Sequence, residues 1–178
     1  MTDGPLLWYL NRATGVVLLV LLTLSVVLGV LAMGGRPGRA VPRFVSQSLH
    51  RNIALIAVVA LVAHVVTAVV DSYVDIRWWQ ALVPVGATYK PLWLELGTYS
   101  LDLLAVVVIS SLLRGRMGHR SWRAVHVLSW VAWAAAVAHA AGIGTDLAHP
   151  SGLAILPTVV CVTAVLLAIV ARGSRSTA

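Results

Sequence analysis

Four histidines lie within the apolar segments of this chain, as two pairs with nearly equal separations. His50 and His64 are 14 residues apart, and His126 and His139 are 13 residues apart. At a rise of about 1.5 Å per residue each pair spans about 20 Å along a helix, or about two thirds of a hydrocarbon core of about 30 Å. Two such helices side by side would stack two His–His pairs across a bilayer. This is the arrangement that two b-type haems require.

The composition predicts that the helices carrying these histidines lie in a membrane. Hydrophobic residues make up 60% of the chain and charged residues 11%, and the mean hydropathy is +0.92, whereas soluble domains carry about 25% charged residues. We therefore predict an all-α integral membrane bundle that forms one domain over residues 1–178, with ligand helices at about 50–70 and 122–143. The first apolar run has no basic segment before it and is too long for a signal peptide, so we expect a retained helix. Five stretches are long enough to span a bilayer: 8–33, 50–70, 93–113, 122–143 and 153–171.

The basic residues predict how the bundle is oriented. Ten of the 13 fall on one side of the five predicted spans, and the positive-inside rule makes that side cytoplasmic. The N-terminus is then outside and the C-terminus inside, in the cell's inner (plasma) membrane. The net charge of +7 thus marks topology and contact with anionic lipid, and it does not predict nucleic-acid binding. The ten are Arg36, Arg39, Arg43, Arg51, Arg114, Arg116, Arg120, Arg123, Arg172 and Arg175; Arg12, Arg77 and Lys90 fall on the other side.

This topology pairs His50 with His126 near the cytoplasmic face, and His64 with His139 near the outer face. A proton relay would favour mixed Asp/Glu/His chains, and a zinc site would gather its ligands into one cluster, so haem ligation is the favoured interpretation. One geometric question stays open. Thirteen residues rotate a side chain by about 140° in an ideal helix, so either the second ligand helix is locally overwound or its two haems are approached from different sides.

The residues around His126 and His139 resemble the ferric reductase-like transmembrane domain. The resemblance covers about residues 49–144, and that family's ligand helices carry histidines at the same two spacings, 14 and then 13. The superfamily includes the membrane parts of ferric reductases and NADPH oxidases and the haem subunit of the methionine sulfoxide reductase system. The residues that carry the resemblance are 110–114 (SSLLR), 121–130 (SWRAVHVLSW) and 139–142 (HAAG).

The resemblance implies a b-type cytochrome with two bis-histidine haems, which passes electrons from the cytoplasmic side to an outer acceptor of unknown identity. Family oxidases commonly continue into a cytoplasmic flavin- and nicotinamide-binding module, and this sequence has no Gly-rich dinucleotide fingerprint. We therefore expect a separate flavin or iron–sulfur dehydrogenase, or a membrane quinol, as the electron donor. The five predicted spans are one fewer than the six usual in the oxidases, which weakens any transfer of their oxygen chemistry.

Several other residues are candidates for supporting roles at such a site. Arginine binds carboxylates such as haem propionates by bidentate hydrogen bonds, although each arginine could instead only mark topology. Trp130 and Trp133 share the helix face of His126 and are candidates for packing against the macrocycles, or for ordinary core packing. Asp102 is expected to face the bundle, and residues 71–92 are expected to form an ordered outer cap. The arginine candidates are Arg51 and Arg123 for the cytoplasmic haem, with Arg12 and Arg77 for the outer one.

A function from a different class stays open on the sequence alone. A single intramembrane histidine often does no more than bond to a neighbouring helix. A small transporter or an assembly factor with structural histidines is therefore the alternative to a redox protein. The presence or absence of haem absorbance distinguishes the two classes.

Overall fold

The computed structural model describes residues 6–32, 42–71, 74, 76–144 and 155–176. In this part of the chain the regular secondary structure is entirely helical, and five helical spans are long and apolar enough to cross a membrane. The prediction of an all-α chain with five such spans is therefore confirmed. The helices are α1 (Leu6–Ala32), α2 (Arg43–Val70), α3 (Pro91–Leu112), α4 (His119–His126), α5 (Leu128–Ile143) and α6 (Ile155–Ser176).

The fourth span is two helices rather than the continuous helix predicted over 122–143. It begins at His119, and α4 ends at His126 before α5 starts at Leu128. At the junction the N–H of Trp130 donates to the carbonyl oxygen of Val127 at 3.0 Å, which is the i→i+3 pattern of a 3₁₀ turn. A 3₁₀ turn rotates about 120° per residue against about 100° in an α-helix, so three or four such residues remove about half of the 140° offset between the two histidines. This tightening corresponds to the overwound alternative.

The packing of the helices leaves the two histidine-bearing spans facing each other across a gap. Helix α1 packs against α2, α5 and α6, while α3 packs against α4 and α5. Among the described residues, α2 and α5 do not form one of the packed helix pairs. Small residues allow the close contacts elsewhere: Ser100 Oγ on α3 donates to the carbonyl oxygen of Ala132 on α5 at 2.8 Å, and Ala132 is fully buried.

Within the predicted cap of residues 71–92, the structure shows an ordered segment over residues 76–90, and α3 begins at Pro91. The cap contains a 3₁₀ helix, Trp78–Ala81, and is organised around the buried side chain of Gln80. Gln80 Nε2 donates to the Gly86 carbonyl oxygen at 3.0 Å, and Thr98 Oγ1 on α3 donates to the Gln80 carbonyl oxygen at 2.7 Å. The cap is therefore fixed to the start of α3.

Lys90 joins the cap to the end of α5. Its backbone lies in the left-handed region with φ of 40°, which turns the chain sharply just before Pro91 opens α3. Its Nζ atom donates to the carbonyl oxygens of Gly142, Ile143 and Gly144 at 3.1–3.3 Å. These carbonyls at the end of α5 lack partners within the helix, and a cation there also complements the helix dipole.

Candidate functional site

The structure brings the four histidines together in the two pairs expected from topology. The rings of His50 on α2 and His126 on α4 have centroids 6.2 Å apart and planes inclined at 63°. The rings of His64 on α2 and His139 on α5 have centroids 6.4 Å apart and planes inclined at 82°. In each pair the two rings therefore face each other across the gap between the second and fourth spans.

The Nδ1 atom of every histidine in these pairs lies near an oxygen atom of a neighbouring helix. His139 donates to the Trp93 carbonyl oxygen at 2.7 Å, His64 to that of Asn11 at 3.0 Å, and His50 to that of Ser25 at 3.1 Å. A carbonyl oxygen can only accept, so Nδ1 carries the proton in these three rings. In the neutral form of these rings, Nε2 therefore carries the lone pair.

His126 has the weakest of the four contacts. Its Nδ1 lies 3.5 Å from Ser111 Oγ on α3. The Ser111 hydroxyl donates to the Val107 carbonyl oxygen at 2.7 Å, so its lone pairs are available to accept from His126. This contact is compatible with the same tautomer as in the other three histidines.

Asn11 fixes His64 from two directions. Its carbonyl oxygen receives the His64 Nδ1–H, while its side-chain Nδ2 donates to the His64 carbonyl oxygen at 2.9 Å and to Thr67 Oγ1 at 3.3 Å. The sequence reading did not select Asn11, although an amide one turn inside an apolar helix signals a buried polar contact. This side chain joins α1 to α2 at the level of the His64–His139 pair.

Two glycines allow backbone to approach the His64–His139 pair. A Cβ atom added at Gly97 would lie 2.5 Å from His139 Nδ1, and one at Gly15 would lie 3.0 Å from His64 Cε1. Both distances are closer than an aliphatic carbon can approach these rings without movement. The two glycines are therefore part of the site, although the sequence reading did not include them.

A largely apolar cavity of about 270 Å³ extends from the His64–His139 pair. Its lining includes both imidazoles, both glycines and Arg12. The Arg12 guanidinium also lies over the Trp8 ring, 5.3 Å from its centroid. Of the two arginines expected at the outer pair, the structure places Arg12 at the cavity, whereas Arg77 is exposed and outside its lining.

At the His50–His126 pair the structure shows an aromatic stack that the sequence reading missed. The Trp122 ring lies 4.9 Å from the His126 ring, with an interplanar angle of 26°. On Trp122 lies the guanidinium of Arg114, 4.4 Å from the ring centroid. A tryptophan four residues before a histidine occupies the same helix face, which was the available signal.

The remaining predicted residues lie further from the rings or in ordinary packing positions. Trp133 donates through Nε1 to Thr23 Oγ1 at 3.0 Å, which joins α5 to α1 between the two pairs. Trp130 and Asp102 are half-buried, and neither lines the cavity. Arg51 and Arg123 are exposed. Arg36, Arg39 and the side chains of Arg43 and Arg175 lie outside the described residues.

The donor set differs from that of a typical structural zinc site. Over the residues that the structure describes, no three His, Cys, Asp or Glu side chains group together in a way that could hold a metal ion. Such a zinc site needs about four protein ligands. An iron that already has a planar four-nitrogen ring needs only two more, and each histidine pair offers two.

Comparison with known proteins gives a family without an assigned activity. No curated protein and no solved structure matches the chain. A family described as "Domain of unknown function (DUF8596)" matches residues 6–146, which include both histidine pairs, the cap and helices α1 to α5. Since this match covers most of the chain, the protein belongs to the DUF8596 family.

Proposed function

We propose that this protein is a dihaem b-type membrane cytochrome that carries electrons across the bilayer between a cytoplasmic donor and an outer acceptor. The observation that carries the proposal is the distance between the paired rings. A metal–imidazole bond is about 2.0–2.1 Å long, and a five-membered ring places its nitrogen about 1.2 Å from the centroid. Two imidazoles on opposite sides of one metal thus have centroids about 6.4 Å apart, and the pairs are at 6.2 and 6.4 Å.

The hydrogen bonds of the rings support ligation through Nε2. A ligating histidine typically donates its other ring N–H to a carbonyl oxygen or another acceptor, which fixes the tautomer and the ring orientation. His50, His64 and His139 donate Nδ1–H to backbone carbonyl oxygens. Simple structural histidines would also be expected to use Nε2 in bonds to neighbouring helices.

Buried polar atoms without partners support a carboxylate-bearing group at the His50–His126 pair. Trp122 Nε1 and Ser25 Oγ are buried, and neither has a hydrogen-bond partner in the described part of the chain. Trp122 stacks on His126 and Ser25 accepts from His50 through its carbonyl oxygen. An unsatisfied buried donor costs about 1–3 kcal/mol, and a haem propionate would supply acceptors there. Arg12 in the cavity would serve a propionate at the other pair.

Haem iron would supply reversible one-electron transfer, and the protein's own residues hold and insulate the two sites. The carbonyl oxygens of Ser25, Asn11 and Trp93 orient the rings, and the cavity beside the His64–His139 pair has a largely apolar lining. Trp133 occupies the region between the pairs and is fixed by Thr23. A fixed scaffold of this kind lowers the reorganisation that accompanies each electron transfer.

The direction of transfer and the partners rest on charge and on resemblance. Ten of the 13 basic residues mark one face as cytoplasmic, so the His50–His126 pair would receive electrons and the His64–His139 pair would deliver them outside. The resemblance to the ferric reductase-like transmembrane domain agrees with this path through a plasma membrane. The donor would be a separate flavin or iron–sulfur dehydrogenase, or a membrane quinol.

An absorbance spectrum of the purified chain tests the proposal. We expect dithionite reduction to produce the paired α and β bands of low-spin haem, and extraction to yield two haems per chain. If the protein, purified after expression with adequate haem supply, carries no haem, a transporter or assembly factor with structural histidines becomes the better account.

A further inference from the structure

The His50–His126 pair has a positively charged neighbour that reaches it through an aromatic ring. The guanidinium of Arg114 lies over the Trp122 indole, 4.4 Å from the ring centroid. The Trp122 ring in turn stacks on the His126 imidazole, with ring centroids 4.9 Å apart. We call these three residues the Arg–Trp–His stack. Arg114 belongs to the short 3₁₀ turn Arg114–Arg116, directly before α4, so the loop between α3 and α4 positions the cation.

The stack acts in the same direction as the weak hydrogen bond of His126. The other three rings bond to backbone carbonyl oxygens at 2.7–3.1 Å, whereas His126 lies 3.5 Å from a serine hydroxyl. A short bond from Nδ1 makes the ligand more basic and favours oxidised iron. His126 has a longer bond, and the aromatic ring that stacks on it also stacks on a cation. Both features would favour reduced iron.

We propose that Arg114 and Trp122 are positioning residues that raise the reduction potential of a haem held by His50 and His126. This inference rests on the proposed function. Reduction lowers the charge of the haem iron by one, so a nearby cation stabilises the reduced form. The guanidinium lies within about 10 Å of the His126 ring, close enough for a charge near a protein surface to act. Stacking on Trp122 also restricts Arg114 to one place, unlike a freely solvated arginine.

The test is a redox titration of single-haem protein, followed by its α band. The background is His64→Ala, which keeps only the His50–His126 site. There we expect Arg114→Gln to lower the ratio of reduced to oxidised haem about tenfold at a given potential, equivalent to about 59 mV for one electron. Arg116→Gln is the matched control, because Arg116 is also exposed and lies two residues away without being part of the stack. Equal shifts in both variants, or none in either, would overturn the inference.

A second comparison tests whether an aromatic ring at position 122 is required. In Trp122→Phe, which keeps an aromatic ring, the effect of Arg114→Gln should persist, whereas in Trp122→Leu it should shrink. An undiminished Arg114→Gln shift in Trp122→Leu would show that the cation acts without the stack. Absence of haem from the parent chain would refute the proposed function itself, whereas bound haem with an unchanged potential would refute only this inference.

Discussion

The Nδ1 atom of His139 lies 2.7 Å from the carbonyl oxygen of Trp93, directly over Gly97. Trp93 and Gly97 are one helical turn apart on α3, so the missing side chain of Gly97 opens the path by which the imidazole reaches the carbonyl. The Trp93 side chain is fixed as well, since it packs so closely on Gly142 of α5 that a Cβ there would overlap the indole. One turn of α3 therefore positions the ring of His139.

Gly97→Ala should remove haem from the His64–His139 site. The added methyl would lie 2.5 Å from Nδ1, so the ring has to turn away and lose its hydrogen bond to Trp93. We expect the haem content to fall from two toward one per chain, measured by extraction and absorbance. Gly29→Ala on α1 is the control, because nothing lies within 4 Å of its Cβ position, and alanine is the better helix former. Full haem content in Gly97→Ala would contradict this role.

The two histidine pairs should bind haem independently. His64→Ala and His126→Ala each remove one ligand of a different pair, so each variant should keep one haem, and the double variant should keep none. His119→Ala serves as the control, because His119 is exposed and belongs to neither pair. Haem-to-protein ratios of the purified variants measure the outcome. A loss of both haems from each single variant, with the helical content intact, would argue for one shared site.

The pairing of the histidines could be predicted from sequence because it depends on spacing and helix direction alone. The 14- and 13-residue intervals and the five spans determine which rings share a depth. The partners of the rings could not be predicted in the same way. Asn11, Ser25 and Trp93 contribute backbone oxygens, which every residue type carries. Their role depends on how α1 and α3 pack, and no local pattern encodes that packing.

The break between α4 and α5 after His126 could not be predicted from the sequence either. Val127 is a β-branched residue in an apolar run, and residues of this type occur in unbroken membrane helices. The tight turn lies between two tertiary contacts, the Trp122–His126 stack before it and the Ser100–Ala132 hydrogen bond after it. Sequence periodicity predicted the rotational mismatch of 13 residues but could not identify where the helix absorbs it.

The inclination of the ring planes predicts a particular magnetic signature. Nearly perpendicular imidazole planes leave two iron d orbitals almost equal in energy, which gives low-spin ferric haem a highly anisotropic electron paramagnetic resonance spectrum. The planes meet at 82° in the His64–His139 pair and at 63° in the His50–His126 pair. We expect such a signal from both haems. The anisotropy should be greater in the His126→Ala variant, which retains only the His64–His139 pair. A rhombic spectrum typical of parallel ligand planes would contradict this geometry.

Lys90→Met should destabilise the protein near the His64–His139 pair. The variant keeps the aliphatic stem but loses three charge-assisted hydrogen bonds to carbonyl oxygens at the end of α5. We expect a loss of about 1–2 kcal/mol in the free energy of unfolding, seen as a lower melting temperature in detergent. Lys90→Arg, which can still donate to the carbonyls, should recover most of the loss. A melting temperature unchanged in Lys90→Met would show that the cap holds α5 without this side chain.

The orientation of the bundle can be tested with single cysteines, because the native Cys161 is buried at 3% exposure and should react poorly. Val85 in the cap and Gly115 between α3 and α4 are exposed and lie at opposite ends of α3. The excess of arginine near Gly115 predicts that this side is cytoplasmic. An impermeant maleimide added to intact cells or spheroplasts should therefore label Val85→Cys and leave Gly115→Cys unlabelled until the membrane is opened. The reverse pattern would put the His64–His139 pair on the cytoplasmic side, and electrons would then have to enter at the cavity that Arg12 lines.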